Sequence, residues 1–236
     1  MGGGTPPTPS VSITSLGVCC DSINLPATVW ADNASSYSYV NPLLVGNNLL
    51  EHWATPTSAF GTITSSVTVD LTFFHQFAFL GRYAVFGGGS PTAPTVTSTQ
   101  FGLPFSAPVK LFGLGGAYFL DAGQSWAIAP NPPVGSTSTE RWESSGTPIC
   151  VEICPGPSSL SGTVSGVLAF VVTYYHQFFV KASYLVSDGT SAPSAPTLTS
   201  IYLGNAVSNG LSTTPVSYWF DAGTACAPAV RAVHGR

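Results

Sequence analysis

Apolar and polar residues alternate in short runs along this chain. Residues 67–73 run Val-Thr-Val-Asp-Leu-Thr-Phe, and Thr95-Val96-Thr97 shows the same period of two. Side chains of a β-strand point to opposite faces in turn, so this period predicts strands with one buried face. Clusters such as Gly87-Gly88-Gly89-Ser90-Pro91 bound the runs, and 20 prolines and 25 glycines punctuate the chain at about strand-plus-turn intervals. No segment keeps a helical period long enough to compete. The most apolar stretch, from Val164 to Val180, carries His176 and Gln177 among β-branched and aromatic residues, which predicts a buried strand and no membrane span. The pattern predicts an all-β, mostly antiparallel fold.

Self-similarity at long spacing decides how those strands are organised. Phe73-Phe74-His75-Gln76-Phe77 returns as Tyr174-Tyr175-His176-Gln177-Phe178, 101 residues later. Downstream, Pro94-Thr95-Val96-Thr97 answers to Pro196-Thr197-Leu198-Thr199, and Tyr118-Phe119-Leu120-Asp121-Ala122-Gly123 to Tyr218-Trp219-Phe220-Asp221-Ala222-Gly223. A weaker third trace lies upstream. Val29-Trp30-Ala31-Asp32 matches the strand before Asp121, Glu51-His52-Trp53 matches Glu140-Arg141-Trp142, and Gly61-Thr62-Ile63 matches Gly162-Thr163-Val164. The Glu-x-Trp copies stand 89 apart and the Gly-Thr copies 101, so the 12-residue difference marks an insertion around residues 148–159. The expected organisation is a flexible lead over residues 1–10, two tandem antiparallel, immunoglobulin-like β-sandwich repeats over 11–90 and 91–187, and a partial repeat over 188–236.

The aromatic-His-Gln strand, the aromatic-x-Asp-Ala-Gly turn and the Glu-Arg-Trp strand together resemble the tandem β-sandwich repeats of archaeal cell-surface and secreted proteins, some of which stand beside thermopsin-type peptidase domains. The resemblance spans about residues 30 to 223. The first unit departs from it, with His52 in the place of Arg141 and Asp32-Asn33 in the place of Asp-Ala-Gly. The resemblance implies a structural or binding role outside a cell and supplies no reaction.

Three sets of residues invite a catalytic interpretation. His75 and His176 occupy equivalent strands with no His, Cys or carboxylate at ligand spacing, so each strand is expected to hydrogen-bond its His or Gln within the sandwich, as buried polar groups must. In Glu140-Arg141-Trp142 the strand period puts Glu140 and Trp142 on one face and Arg141 on the other, which predicts an inward Trp and a flanking ion pair. Asp121-Ala122-Gly123 and Asp221-Ala222-Gly223 echo the paired Asp loops of aspartic peptidases, where two carboxylates share a proton. Ala stands where those loops carry a bracing hydroxyl residue, and Asp32 repeats the position, so an ordinary turn at positive φ is expected. No nucleophile elbow, Walker loop or His-Glu-x-x-His is present, and the chain is expected to be non-enzymatic, with no cofactor and no metal.

Charged residues make up 7% of the chain, against roughly 25% in ordinary soluble domains. The six Lys and Arg are scattered and the formal net charge is -4, which leaves no basic footprint for nucleic acid. Few charges need desolvating when such a surface is buried, which suits a packed assembly. The first ten residues lack a charged and an apolar leader segment, so a secretory leader is expected to have been removed and the protein to act outside the cell. Five cysteines suggest disulfides in an oxidising compartment. Cys150 and Cys154 could close a small loop in the insertion. Cys19 and Cys20 point to opposite faces of a strand and pair poorly with each other, which leaves Cys226 as the partner of one of them, in a bond that joins the chain's ends or locks one subunit to the next. Asn33-Ala34-Ser35 is the one Asn-x-Ser/Thr sequon and makes Asn33 a glycosylation candidate.

Both ends of the repeat pattern are expected to be incomplete, because the trace starts after a missing aromatic-His-Gln strand and stops before a second Glu-Arg-Trp. An incomplete sandwich exposes strand edges and apolar surface that another chain can cover, and head-to-tail contacts of that kind do not close on themselves. The expected function is therefore a structural subunit of an extracellular filament or cell-surface assembly. Its copies would be joined by strand or partial-domain exchange through residues 197–233 or the segment up to Ile13. The rival is a secreted binding or adhesion module with two β-sandwich domains, whose partners are cell-surface components or glycans. Trp30, Trp53, Trp142 and Trp219, with Phe74, Phe77, Tyr175 and Phe178, are expected to be buried in two clusters, and Trp126, which has no counterpart, to lie at a surface or interface.

Overall fold

A computed structural model describes residues 5–45, 48–150, 159–186 and 195–229, and every regular element among them is a β-strand. The first unit contributes β1 (Ser10–Ser15), β2 (Val18–Asn24), β3 (Ser36–Tyr39), β4 (Leu43–Val45), β5 (Asn48–Ala54), β6 (Phe60–Thr62), β7 (Phe74–Phe79) and β8 (Arg82–Phe86). The second contributes β9 (Thr95–Gln100), β10 (Leu103–Pro108), β11 (Lys110–Leu111), β12 (Tyr118–Asp121), β13 (Ser125–Ala129), β14 (Glu140–Glu143), β15 (Ile149–Cys150), β16 (Ser161–Thr163) and β17 (Phe170–Ala182). The third contributes β18 (Thr197–Tyr202), β19 (Asn205–Gly210), β20 (Val216–Asp221) and β21 (Ala227–Ala229).

The strands form five sheets, in the orders β2-β1-β3-β6, β12-β7-β5-β4, β10-β9-β13-β16, β11-β8-β17-β14 with β15 and β20 also on β17, and β19-β18-β21. All pairings between these strands are antiparallel except those of β8, which runs parallel to both β17 and β11. The all-β reading of the sequence holds, yet the sheets do not divide at residue 90. β12 of the second unit completes the first unit's sheet, with Asp121 opposite Gln76 and Tyr118 opposite Phe79. In return β8 of the first unit pairs with β17 of the second, from Val171 opposite Arg82 to Tyr175 opposite Phe86. β20 of the third unit then lies along the rest of β17, with Asp221 opposite Gln177.

β7 and β8 form one nearly continuous strand that changes sheet at Leu80 and Gly81. A Cβ on Gly81 would lie 2.4 Å from the Phe79 ring and 3.0 Å from the Phe170 ring, so the bend needs glycine at this close approach. A hydrophobic core gathers beside that bend. Val96, Trp126 and Ile128 from one sheet pack with Trp142, Phe170, Val172 and Tyr174 from the next, and Phe79 and Leu120 fill the end of the same cluster.

Several sequence expectations fail on burial. Trp53 and Trp142 are buried, but Trp30 is 94% exposed and Phe178 is 46% exposed. Trp126 is buried in the main core, because it lies on β13 opposite Gly162, whose missing side chain leaves room for the indole. The alternating residues 67–73 form no strand, and Val67 and Val69 are exposed. Alternation marks a face ready for burial, and among the described residues no partner strand covers this one.

Candidate functional site: the joints between units

Each unit opens with a two-residue hairpin turn: Leu16-Gly17, Phe101-Gly102 and Leu203-Gly204. Both residues of each turn have positive φ, 52° and 74°, 54° and 73°, 49° and 75° in that order. This is the hairpin geometry that matches strand twist, and a non-glycine residue adopts it only at a cost. An aspartate braces every copy. Asp32 accepts the amide hydrogens of Leu16 and Gly17 at 2.9 and 2.7 Å, Asp121 those of Phe101 and Gly102 at 3.0 and 2.7 Å, and Asp221 those of Leu203 and Gly204 at 3.0 and 2.7 Å. Bonds from backbone N–H to a charged acceptor contribute about 1.5–3 kcal/mol each, enough to offset the strained turn residue.

The carboxylates that echoed a peptidase pair are thus each occupied with a turn of their own. After each Asp the chain turns again at positive φ, at Gly123 and Gly223, and in the first unit at Ala34. The Asp32 carbonyl accepts the Ser35 amide at 3.1 Å and the Ser35 hydroxyl at 2.6 Å, which explains how Asn33-Ala34-Ser35 replaces Ala-Gly-Thr. Asn33 is exposed in that turn.

The aromatic-His-Gln strand meets these aspartates from the preceding unit. The Gln76 amide donates to Asp121 at 2.9 Å, and the Gln177 amide donates to Asp221 at 2.8 Å. Both glutamines are fully buried and use their carbonyls as well. His52 lies 3.2 Å from the Gln76 carbonyl and therefore donates through Nε2, while Arg141 donates Nε to the Gln177 carbonyl at 3.0 Å. His52 also stacks on Phe119 at 4.0 Å between centroids, and the Arg141 guanidinium lies 4.2 Å over the Trp219 ring. Burial pulls the His52 pKa below its ordinary value, the bond to Gln76 opposes this, and the nearby His75 adds to it. Arg141 also forms an ion pair with Glu143.

On the opposite sheet face, His75 bonds Glu51 at 2.8 Å and stacks on Trp53 at 4.6 Å, and His176 bonds Glu140 at 2.7 Å and stacks on Trp142 at 4.6 Å. Glu140 and Trp142 therefore share a face and Arg141 takes the other, as the strand period requires. The Gly87-Gly88-Gly89 loop after β8 seals the second unit: the Gly87 carbonyl faces His176 Nδ1 at 3.0 Å and the Gly88 carbonyl accepts from the Trp142 indole at 3.1 Å. A Cβ on Gly89 would lie 2.5 Å from that indole. The hairpin turns press on the preceding unit in the same way, since Cβ atoms on Gly102 and Gly204 would lie 3.0 Å from Phe74 and 2.6 Å from Tyr175.

The motifs picked out in the sequence therefore converge at two joints. The turns themselves were missed, although an apolar-Gly pair 15, 19 and 17 residues before each Asp was there to find. Of the disulfide candidates, Cys154 and the side chains of Cys19, Cys20 and Cys150 lie outside the described residues. Cys226 carries a free, exposed thiol that donates to the Ser200 hydroxyl at 3.4 Å. It lies beside the third unit's sheet, whereas Cys19 and Cys20 lie on β2 of the first. Among the described residues no group of His, Cys, Asp and Glu is placed to hold a metal, and no helix is long and apolar enough to cross a membrane.

Fold and joints together define a tandem all-β repeat protein whose units share strands. No protein-family model matches the chain, and no curated protein or solved structure matches it either.

Proposed function

We propose that the chain is a non-enzymatic structural subunit of an extracellular filament or cell-surface assembly, built by passing strands from one repeat unit to the next. The observation that carries this reading is the reciprocal joint, in which β12 completes the first unit's sheet while β8 extends the second's. Main-chain pairing with side-chain pockets works between chains as well as within one, and repeated head-to-tail it builds filaments. The low charge density fits surfaces that are covered in the assembled state. The likeness of the motifs to archaeal cell-surface repeats points to the same setting.

Electron microscopy and light scattering of the protein as purified test this. Filaments or ordered oligomers that grow with concentration are expected, and a strictly monomeric species at all concentrations overturns the reading. A secreted binding module is the second reading, favoured by an open cleft of about 220 Å³ at the second joint, lined by Arg141, Tyr202, Asn209, Tyr218 and Trp219 among others. Its aromatic faces and amide suit a glycan.

A further inference from the structure

We infer that the first unit carries an unfilled docking site for an aromatic-His-Gln strand of a like repeat on another molecule, formed by residues 29–32, residues 67–73 and the Leu16-Gly17 turn. The inference deepens the assembly reading by naming the strand that the assembly would pass on.

Asp32 is the first sign. It braces its turn at the distances seen for Asp121 and Asp221, but each of those also receives a Gln amide from the preceding unit, and among the described residues none reaches Asp32. Its neighbours are bare in the same sense. Trp30 occupies the position of Phe119, which stacks on His52, and of Trp219, which lies under Arg141, yet Trp30 is 94% exposed. Leu16 occupies the position of Phe101, whose ring meets the edge of Phe74 at 6.0 Å, yet Leu16 is 92% exposed. A Cβ on Gly17 would meet nothing within 4 Å, where those on Gly102 and Gly204 would press on aromatic rings.

Residues 67–73 give an independent sign. Their counterparts, 101 residues on, are Leu168 to Tyr174, where β17 takes β8 in parallel and Phe170, Val172 and Tyr174 are buried. Val67 and Val69 are exposed, and among the described residues no strand pairs with them. In the filled joint a single strand-bend-strand serves both places. β7 covers the aspartate strand β12, and after Gly81 its continuation β8 lies along β17. The two bare segments of the first unit are the counterparts of those two places, so one incoming strand of the Phe74-to-Phe86 type satisfies both. Its Gln would donate to Asp32, its leading aromatic would cover Gly17, and its second half would run parallel to residues 70–74.

A synthetic peptide with the sequence of residues 74–86 and a solubilising lysine tail, added to the whole protein, tests the site. Saturable binding is expected, with a blue shift of the Trp30 emission and new amide protection at residues 29–31 and 70–73. Asp32→Asn in the protein and Gln76→Leu in the peptide should each weaken binding at least about tenfold, without adding to one another. Trp30→Ala, at a ring exposed in the free protein, separates binding from folding and should also weaken it. Equal binding of a scrambled peptide, or full binding after all three changes, overturns the inference. A protein that stays monomeric yet binds the peptide sinks the assembly reading and keeps the site, whereas filaments with no peptide binding do the reverse.

Discussion

The first joint, between β7 and β12, and the second, between β17 and β20, share a frame and differ in the group that closes it. In both, a buried Gln donates to an Asp that already holds the two amides of a hairpin turn, and the corresponding distances agree to 0.1 Å. The closing group is His52 on Phe119 at the first and Arg141 on Trp219 at the second. The frame is directed at backbone N–H groups, so it is indifferent to most side-chain changes around it. The closing group needs only to donate to the Gln carbonyl and cover a ring, which an imidazole and a guanidinium can both do. Stability should therefore follow the frame, and the response to pH should follow the closing group.

The largest effect tests the frame. Asp121→Ala or Asp221→Ala leaves two turn amides and a buried Gln amide without an acceptor, and each should cost about 3 kcal/mol or more in urea unfolding. Asp32→Ala removes the same two amide bonds at an exposed position with no Gln attached, and water can replace the acceptor. It should cost clearly less. Equal losses at all three would show that the Gln and its burial add nothing, and the likeness of the joints would then concern turns alone.

How much of this was legible beforehand follows from what each signal reports. The His-Gln strand, the Asp turn and the Glu-x-Trp strand stood out because they recur, and recurrence marks positions with fixed partners whether or not the partners are known. The alternation of residues 67–73 is as regular as that of Thr95-Val96-Thr97, yet among the described residues only the second is paired, since period two says which face seeks burial and not what covers it. Trp30 misled for the same reason: its counterparts are covered by the preceding unit, and the matching position in the first unit is not. Trp126 was misjudged because its space comes from Gly162 across the sheet, a pairing of β13 with β16 that no local pattern announces.

Exchanging the closing groups should have an intermediate effect. Arg141→His gives up the ion pair to Glu143 and the cation over Trp219, and should destabilise by about 1–2 kcal/mol. His52→Arg forces a longer, charged side chain into a position that is 7% exposed and already in ring contact with Phe119, and should cost about 1–3 kcal/mol. Thermal unfolding of both variants reads these losses. A stabilised His52→Arg variant would mean that the first joint has room for the guanidinium, and that the two joints are interchangeable after all.

The smallest effect distinguishes the joints by pH. Burial lowers the His52 pKa below its ordinary value near 6.5, with the Gln76 bond and His75 as the lesser influences. In the unfolded chain His52 takes up a proton as the pH falls through about 6.5, while in the folded chain it resists until a lower pH. The unfolded state therefore binds more protons in that window, and stability falls with decreasing pH. The contribution is complete above the unfolded value and is lost as the pH drops through the folded one. The second joint places a guanidinium, and not an imidazole, at the equivalent position. Glu51, His75, Glu140 and His176 also lie near the joints, and the readout is therefore a difference: unfolding curves of the wild type and His52→Gln, measured from pH 7.5 to pH 5, should converge as the pH falls. Parallel curves would show that His52 does not titrate against folding, and that the two closing groups differ in shape rather than in charge.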